Sequence, residues 1–297
     1  MEKFPPCSGN DTELGHRLQA MRIAHISDLH LLEPGAAQRT GAARLRLEWL
    51  TFGRTRSPER VRRRALWALR AARDSDARHL IATGDLTEDG VDAQFEALAE
   101  VLAESGWAPE RVTLVPGNHD AYSDPDAWRR ALVGPLRSYA ATSTGRVLDL
   151  GGALLVPIST AMHQPLTRAA GKIAPADLDR VGRVAEDAWS AARPVIVAMH
   201  HQPFRKWTPL LQWIDGLADH ARVTALLERH DHLSVLHGHT HAALDQPVRA
   251  GGFSRVFSAD ATVACRTPVR TYRLAHGRLF SEEPLAARLF PAVATAW

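Results

Sequence analysis

At residues 21–30 the chain reads MRIAHISDLH, and this stretch decides the fold class. Its first part, residues 22–26, is an apolar run of the length of a buried strand. Two side chains that can bind metals, Asp28 and His30, follow directly after that run. Polar residues just beyond a strand's carboxyl end are typical of open α/β sheets, which bind their ligands at that edge.

Similar short apolar runs recur and alternate with helical patterns. Further strands are predicted at residues 79–82, 111–115, 153–158, 194–198 and 233–236. Helices are predicted between them at residues 58–73, 91–104, 175–192 and 217–230. Closely spaced antiparallel strands at residues 254–258, 269–274 and 277–280 would then finish a mixed sheet. The alternation of strands and helices predicts an α/β protein.

The 297 residues contain no internal repeat and no linker, which favours one domain over residues 21–280. A polar extension, residues 1–20, is predicted to be disordered, and a tail follows at residues 281–297. Two segments exceed ordinary connection lengths and are predicted to carry specificity: an Arg-rich insertion at residues 33–57 and a Trp-containing loop at residues 201–216.

Composition limits the classes of protein to which the chain can belong. The only two cysteines form no metal-binding spacing and fit a reducing, cytoplasmic location. No apolar run reaches the roughly 20 residues that span a bilayer, and no signal peptide is recognised. The net charge of +3 is mild, so a nucleic-acid polymer is not an expected partner.

Side chains able to bind a metal follow five of the predicted strands. They are Asp28, His30, Asp85, Asn118, His200, His239 and His241. Alternate residues of an extended chain point the same way, so Asp28 with His30, and His239 with His241, can each bind one ion. Carboxylate, amide and imidazole ligands without a thiolate suit Mn, Fe or Zn in a catalytic site.

Other histidines in or next to these strands point away from the metal ligands by the same alternation. His25, His201 and His237 are therefore predicted to pack or to form hydrogen bonds within the protein. Arg205 and Lys206 follow the His200 segment and either bind a phosphate or belong to a solvated loop.

Taken in order, Asp28-x-His30, Gly84-Asp85, Gly117-Asn118-His119-Asp120, the lone His200 and Gly238-His239-x-His241 resemble the motifs of calcineurin-like metallophosphoesterases. The resemblance covers residues 21 to about 263, and within the family the chain resembles bacterial class III cyclic-nucleotide phosphodiesterases. It implies a four-layer αββα sandwich, in which two mixed β-sheets are flanked by helices and the metal site lies at strand carboxyl ends.

The resemblance also implies two divalent ions, Mn, Fe or Zn, that share one ligand. One ion would be bound by Asp28, His30, Asp85 and His241, and the other by Asp85, Asn118, His200 and His239. A hydroxide between the ions would attack the phosphorus. His119 would support the transition state or protonate the leaving group, and Asp120 would orient its ring.

These implications favour a phosphodiesterase that hydrolyses a cyclic nucleotide or another small phosphodiester. Two alternatives remain open: a pyrophosphatase acting on a nucleotide-linked lipid or sugar, and a non-catalytic metal-binding scaffold. In the helix at residues 58–73, Trp67 lies on an arginine-rich face. That face either contacts an anionic membrane peripherally or is covered by residues 33–57.

Overall fold

The computed structural model describes residues 21–143, 145–190 and 193–282. The predicted extension at residues 1–20, the last two residues of the predicted helix 175–192, and residues 283–297 of the predicted tail lie outside the described residues. Across the part of the chain that is described, no helix is both long and apolar enough to cross a membrane.

Eleven strands are formed by the described residues. They are β1 (Met21–Ile26), β2 (His79–Thr83), β3 (Val112–Val115), β4 (Leu148–Asp149), β5 (Leu154–Pro157), β6 (Val195–Ala198), β7 (Leu233–His237), β8 (Leu244–Pro247), β9 (Arg255–Ser258), β10 (Arg270–Ala275) and β11 (Arg278–Ser281). The first sheet has the order β11-β10-β1-β2-β3, and the second has the order β4-β5-β6-β7-β9-β8. Both sheets combine parallel and antiparallel pairs.

The α-helices of the described residues lie on the outer faces or in the connections. They are α1 (Gly41–Leu50), α2 (Pro58–Arg73), α3 (Asp92–Ser105), α4 (Ala127–Val133), α5 (Ala140–Ser143), α6 (Pro175–Ser190), α7 (Pro209–Asp215) and α8 (His220–Arg229). The start of α2 follows from its sequence, because Ser57 accepts a hydrogen bond from the Arg60 amide and Pro58 occupies the first turn.

The buried apolar residues form three layers. One cluster joins α2 and α3 to the first sheet through Leu69, Leu98 and Leu80. A second cluster joins α6 and α8 to the other face of the second sheet. Between the sheets, Ile23 of β1 and Phe257 of β9 belong to a third cluster. Helix, sheet, sheet and helix therefore stack as the predicted αββα sandwich.

The strands after residue 241 do not finish a single sheet, and that prediction was wrong. β9 lies parallel to β7 in the second sheet, whereas β10 lies antiparallel to β1 in the first. The chain therefore passes from the second sheet to the first between these two strands. β9 extends the second sheet beside β7, and β10 extends the first sheet beside β1. β4 and β8 were not predicted at all, since both are short and largely exposed.

The two long segments contain helices that the sequence analysis treated as loops. α1 lies within the insertion at residues 33–57, and α7 lies within the segment at residues 201–216. Trp67 of α2 is partly buried and packs against the first core cluster. This cluster also contains Ala36 and Leu47 of the insertion, so the insertion contributes to the core beneath α2.

Candidate metal centre

The predicted ligands lie where parallel strands of the two sheets end at a common edge. β1, β2 and β3 run parallel in the first sheet, and β6 and β7 run parallel in the second. Beyond the first two strands the backbone stays paired, because the Asp28 amide donates to the Gly84 carbonyl (3.0 Å) and the His30 amide donates to the Asp85 carbonyl (2.9 Å). This pairing fixes the side chains of both segments against each other.

The backbone adopts an unusual conformation at most of these residues. Of the seven non-glycine residues with positive φ among those described, five are predicted ligands: Asp28, His30, Asp85, His239 and His241. Left-handed backbone is costly for residues other than glycine and concentrates at functional sites. The fold therefore maintains strained turns at the ends of β1, β2 and β7.

Asp85 lies at the centre of the site. Its Oδ2 is 3.3 Å from His200 Nε2, 3.9 Å from His30 Nε2 and 3.9 Å from His119 Nε2. A Cβ at Gly117 would overlap the Asp85 carboxylate, so only glycine allows the third strand end to come this close. The Asp85 carboxylate therefore lies within 4 Å of histidines that follow strands of both sheets.

Six of the seven predicted ligands are brought together. Asp28, His30 and His241 form one group whose ligand atoms lie within 4.8 Å of one another, and Asp28, Asp85 and His200 form another. Asn118 joins the second group through its Oδ1, which is 3.2 Å from His200 Nε2. The structure therefore supplies two overlapping sets of ligand atoms.

His239 is the ligand that the structure places differently. Its Nε2 lies 2.7 Å from Oδ1 of Asp215, the last residue of α7, and its ring packs against the rings of His200 and His201. Its own backbone amide donates to Asp28 Oδ2 at 3.2 Å. His239 therefore lies beside the second set of ligand atoms while one ring nitrogen contacts a carboxylate outside it.

Hydrogen bonding shows that the site fits metal ions. Among the residues that the structure describes, neither ring nitrogen of the buried His30 has a hydrogen-bond partner. Asp28 Oδ1 also lacks a well-oriented hydrogen bond, although His241 Nε2 lies 3.2 Å away. His200 Nδ1 bonds to the Thr83 carbonyl at 2.7 Å, which directs Nε2 toward Asp85 and Asn118. Unpaired buried atoms of this kind are expected where a cation binds.

Electrostatics keeps the Asp28 and Asp85 carboxyls ionised and the His30 ring neutral, which are the states that bind cations. Burial raises the pKa of Asp85, but the rings of His200, His119 and His30 together outweigh this effect and hold that pKa well below its usual range. For Asp28, burial is likewise outweighed by His241 and His200 together, and the pKa is lowered. Burial holds the pKa of His30 well below its usual range, so this imidazole is neutral, as a metal ligand must be.

His119 lies beside the ligands, and its ring is held by Glu88. The Nδ1 atom is 2.6 Å from the Glu88 carbonyl oxygen and 3.4 Å from Glu88 Oε1, which directs Nε2 toward Asp85. The prediction that Asp120 orients this ring does not agree with the contacts. The Asp120 carboxylate accepts hydrogen bonds from the Gly117 amide, and also from the Leu86 and Thr87 amides and the Thr87 hydroxyl. Asp120 thus joins two strand-end loops.

Glu88 is a residue of the site that the sequence analysis missed. Its carboxylate lies 3.6 Å from His30 Nδ1 and 2.6 Å from Arg54 Nη2. Together with His30 and His119 it forms a third group of ligand-type atoms. The available signal was the acidic pair Glu88-Asp89, which begins three residues after Asp85 in the loop that follows the same strand.

The insertion is tied to the back of this centre by arginines. Arg39 pairs with both Glu33 (2.5 Å) and Asp89 (2.8 Å), and Arg54 pairs with Glu88. All three carboxylates are buried. Buried charges need partners of opposite charge, so these arginines stabilise the buried carboxylates behind the histidines. The same ion pairs hold the insertion in place.

The histidines predicted to be structural have partners within the protein. His25 bonds through Nδ1 to the Tyr272 hydroxyl (3.1 Å) and through Nε2 to the Thr83 hydroxyl (2.7 Å). His201 contacts the Thr160 hydroxyl (2.7 Å) and the Ala169 carbonyl (2.9 Å). His237 Nδ1 contacts the carbonyl of the following Gly238.

Comparisons with known proteins agree with this architecture. The family model for calcineurin-like phosphoesterases matches residues 21–243. A dimetal phosphatase from Danio rerio superposes with a TM-score of 0.62 at 14% identity, covering 88% of this chain and 98% of that one. A protein of Thermus thermophilus gives a TM-score of 0.49 at 14% identity, covering 90% and 100%. No curated protein matches the sequence. At such identities the structural likeness concerns the fold alone.

Proposed function

The chain belongs to the calcineurin-like phosphoesterase family, and we propose that it is a phosphodiesterase acting on a cyclic nucleotide or another small phosphodiester. Members of the family bind a binuclear divalent metal site and hydrolyse phosphate esters. The finer assignment, to diesters, is supported chiefly by His119, whose Nε2 faces Asp85 while its Nδ1 is held by Glu88.

The ligand sets that we propose for the two ions are those that the family resemblance implies, and two groups of ligand-type atoms support them in part. Asp28, His30, Asp85 and His241 would hold one ion, and Asp85, Asn118, His200 and His239 the other. When bound, two such ions supply an activated water and positive charge for the phosphoryl oxygens. The carboxylates balance that charge, and Asp215 would have to share or release His239 for it to bind.

His119 is the residue proposed to move a proton. Its Nδ1 faces the Glu88 carbonyl, which fixes the tautomer with the other nitrogen free to exchange a proton. A proton held at Nε2 can be given to the departing alkoxide of a diester, an expelled group too basic to leave readily on its own. The Glu88 carboxylate stabilises the protonated ring by charge.

The first experiment is a substrate panel measured with purified protein and added manganese. We expect turnover of bis(p-nitrophenyl) phosphate and of cyclic AMP, and weaker turnover of the monoester p-nitrophenyl phosphate. No turnover of any diester would contradict the proposal. Turnover confined to a nucleotide-linked sugar or lipid pyrophosphate would favour the pyrophosphatase alternative. A protein that binds metal but hydrolyses none of these esters would favour the metal-binding scaffold.

The second experiment tests His119 through the leaving group. In His119→Ala, hydrolysis of cyclic AMP should fall by about a hundredfold or more, because the alkoxide loses its proton donor. Hydrolysis of bis(p-nitrophenyl) phosphate should fall much less, since p-nitrophenolate leaves without protonation. His276→Asn, a change in an exposed turn with left-handed backbone, is the matched control. Equal losses on both substrates would refute the proton-donor role.

A further inference from the structure

Large apolar side chains are exposed on two segments that flank the metal centre. Three of the four exposed tryptophans of the described chain lie there, and Trp207 is 97% exposed. We name this surface the aromatic rim. Its members are Leu45, Trp49, Phe52, Trp207, Leu210 and Trp213. The first three belong to α1 and the turn after it, and the others belong to α7 and the residues before it.

The two halves of the aromatic rim are joined by one short segment. Trp49 Nε1 donates to the Leu166 carbonyl at 3.4 Å. Two residues later, the Arg168 guanidinium stacks on the Trp213 ring at 4.4 Å and donates to the Trp213 carbonyl at 3.0 Å. Residues 166–168 therefore connect α1 and α7 into a single surface.

This surface borders the metal centre on both sides. Asp215, at the end of α7, contacts His239, and Arg54, two residues after Phe52, contacts Glu88. The Arg168 carbonyl accepts a hydrogen bond from the Tyr122 hydroxyl, which in turn accepts one from Asn118. Whatever binds the aromatic rim therefore lies next to the candidate ligands.

Positive charge lies on the α7 side of the aromatic rim. The five arginines of residues 39–56 are paired with carboxylates, three of them with buried ones and two with Glu48. Arg168, Lys172 and Arg205 line a cavity of about 530 Å³ together with Trp213. Exposed tryptophans next to basic side chains are typical of protein surfaces that bind the interface of membranes with anionic lipids.

The degree of exposure also favours a lipid surface over a folded partner. Trp207 is 97% exposed and therefore protrudes from the protein. A fluid headgroup layer can surround such a side chain without a complementary shape, whereas a protein partner must supply a pocket. We propose that the aromatic rim binds the surface of anionic membranes and holds the metal centre at the level of the headgroups.

This inference goes beyond the proposed function and does not depend on the substrate. The test is co-sedimentation of the full-length protein with vesicles of phosphatidylglycerol and phosphatidylcholine, compared with vesicles of phosphatidylcholine alone. We expect binding to the anionic vesicles that weakens as salt is raised. In the double variant Phe52→Ser/Trp207→Ser, the partition coefficient between vesicles and water should fall by about tenfold or more. The reason is that two aromatic rings no longer enter the membrane interface.

Trp189→Ser is the matched control, since Trp189 is 66% exposed but lies at the other end of the second sheet, where its ring contacts His232 at the start of β7. Its vesicle binding should equal that of the wild type. Hydrolysis of a water-soluble substrate, or the melting temperature, verifies that each variant is folded.

Three results would overturn the inference. The first is a wild-type protein that does not sediment with anionic vesicles. The second is an equal loss of binding in Trp189→Ser and in the double variant. The third is a double variant that changes only the self-association of the protein, measured by analytical ultracentrifugation without vesicles, because the rim would then be an interface between two copies of the chain.

Discussion

His25 and His30 lie in the same stretch of chain and are both fully buried, yet they differ in hydrogen bonding and in backbone conformation. Both nitrogens of His25 have hydroxyl partners, from Tyr272 and Thr83, and the residue lies in regular β1. Neither nitrogen of His30 has a hydrogen-bond partner in the described structure, and its backbone is left-handed. Burial alone therefore does not separate a core histidine from a metal ligand, whereas hydrogen-bond satisfaction does.

An energetic argument explains why the difference matters. A buried polar atom without a partner costs about 1–3 kcal/mol, and left-handed backbone adds a comparable cost. A fold that keeps both costs at His30 is expected to recover them when a cation binds. At His25 there is no such cost, because the side chain completes a hydrogen-bonded link between neighbouring strands.

The largest expected effect is on activity at His30. In His30→Ala, metal-dependent hydrolysis should fall by about a thousandfold, since a metal site contributes several kcal/mol of transition-state stabilisation. The free energy of unfolding measured in a chelator should change little, because no hydrogen bond is lost. Bound metal, measured by elemental analysis, should fall together with activity. A His30→Ala variant with full activity and full metal content would contradict the assignment of His30 as a metal ligand.

A reciprocal result is expected at His25. His25→Phe should lower the free energy of unfolding by about 2 kcal/mol, because the Tyr272 and Thr83 hydroxyls lose their buried partner. Activity per metal-loaded molecule should stay near that of the wild type. Urea denaturation provides the measurement, and His25→Phe/Tyr272→Phe should regain part of the loss. A variant that is stable but inactive would show that His25 belongs to the metal centre.

Arg54 tests whether the partners of Glu88 matter. In Arg54→Ala the Glu88 carboxylate loses its cation, and metal affinity and activity should fall by about tenfold, the lower end of the range for residues that support metal ligands. Arg54→Lys should recover part of the loss. Arg56→Ala is the matched control, because Arg56 is half-exposed and its Nε bonds to Thr51 Oγ1. Equal effects in both alanine variants would contradict the role of Arg54.

The smallest effect concerns His79, a histidine buried far from the metals. Burial lowers the pKa of His79 to about 4, while its Nε2 bonds to the Thr113 hydroxyl. The unfolded chain binds a proton more readily at pH 5.5, so stability should fall by about 1 kcal/mol between pH 7 and pH 5.5. In His79→Leu this part of the pH dependence should be missing from urea denaturation curves. An unchanged pH profile would show that His79 does not titrate in this range.

The sequence predicted those parts of the fold in which local pattern and position agree. The helix at residues 58–73 was predicted with both ends correct, because its apolar stripe and its first-turn Pro58 indicate the same helix. The ligand-type residues were found because glycines and strand ends mark them in order. Their roles as ligands remain a prediction, although the structure brings six of the seven together.

What the sequence did not predict depends on contacts between distant segments. Glu88 lies in a loop, and its importance arises only when His30, His119 and Arg54 meet around it. The same holds for the pairing of Asp215 with His239. The distribution of β9 and β10 between two sheets was missed because residue alternation indicates a strand but not its neighbour.

The position of β10 beside β1 has a consequence for the order of events during synthesis. All seven ligand-type residues have been made once residue 241 is added to the growing chain. At that moment β1 still lacks its neighbour on one side, and the amides of Thr262 and Val263 that bond to the Ser27 and Asp28 carbonyls have not been made. The candidate metal-binding edge can therefore be completed only after residues 262–275 have been synthesised. The Ser27–Asp28 segment, although made early, forms its full set of backbone hydrogen bonds late in folding.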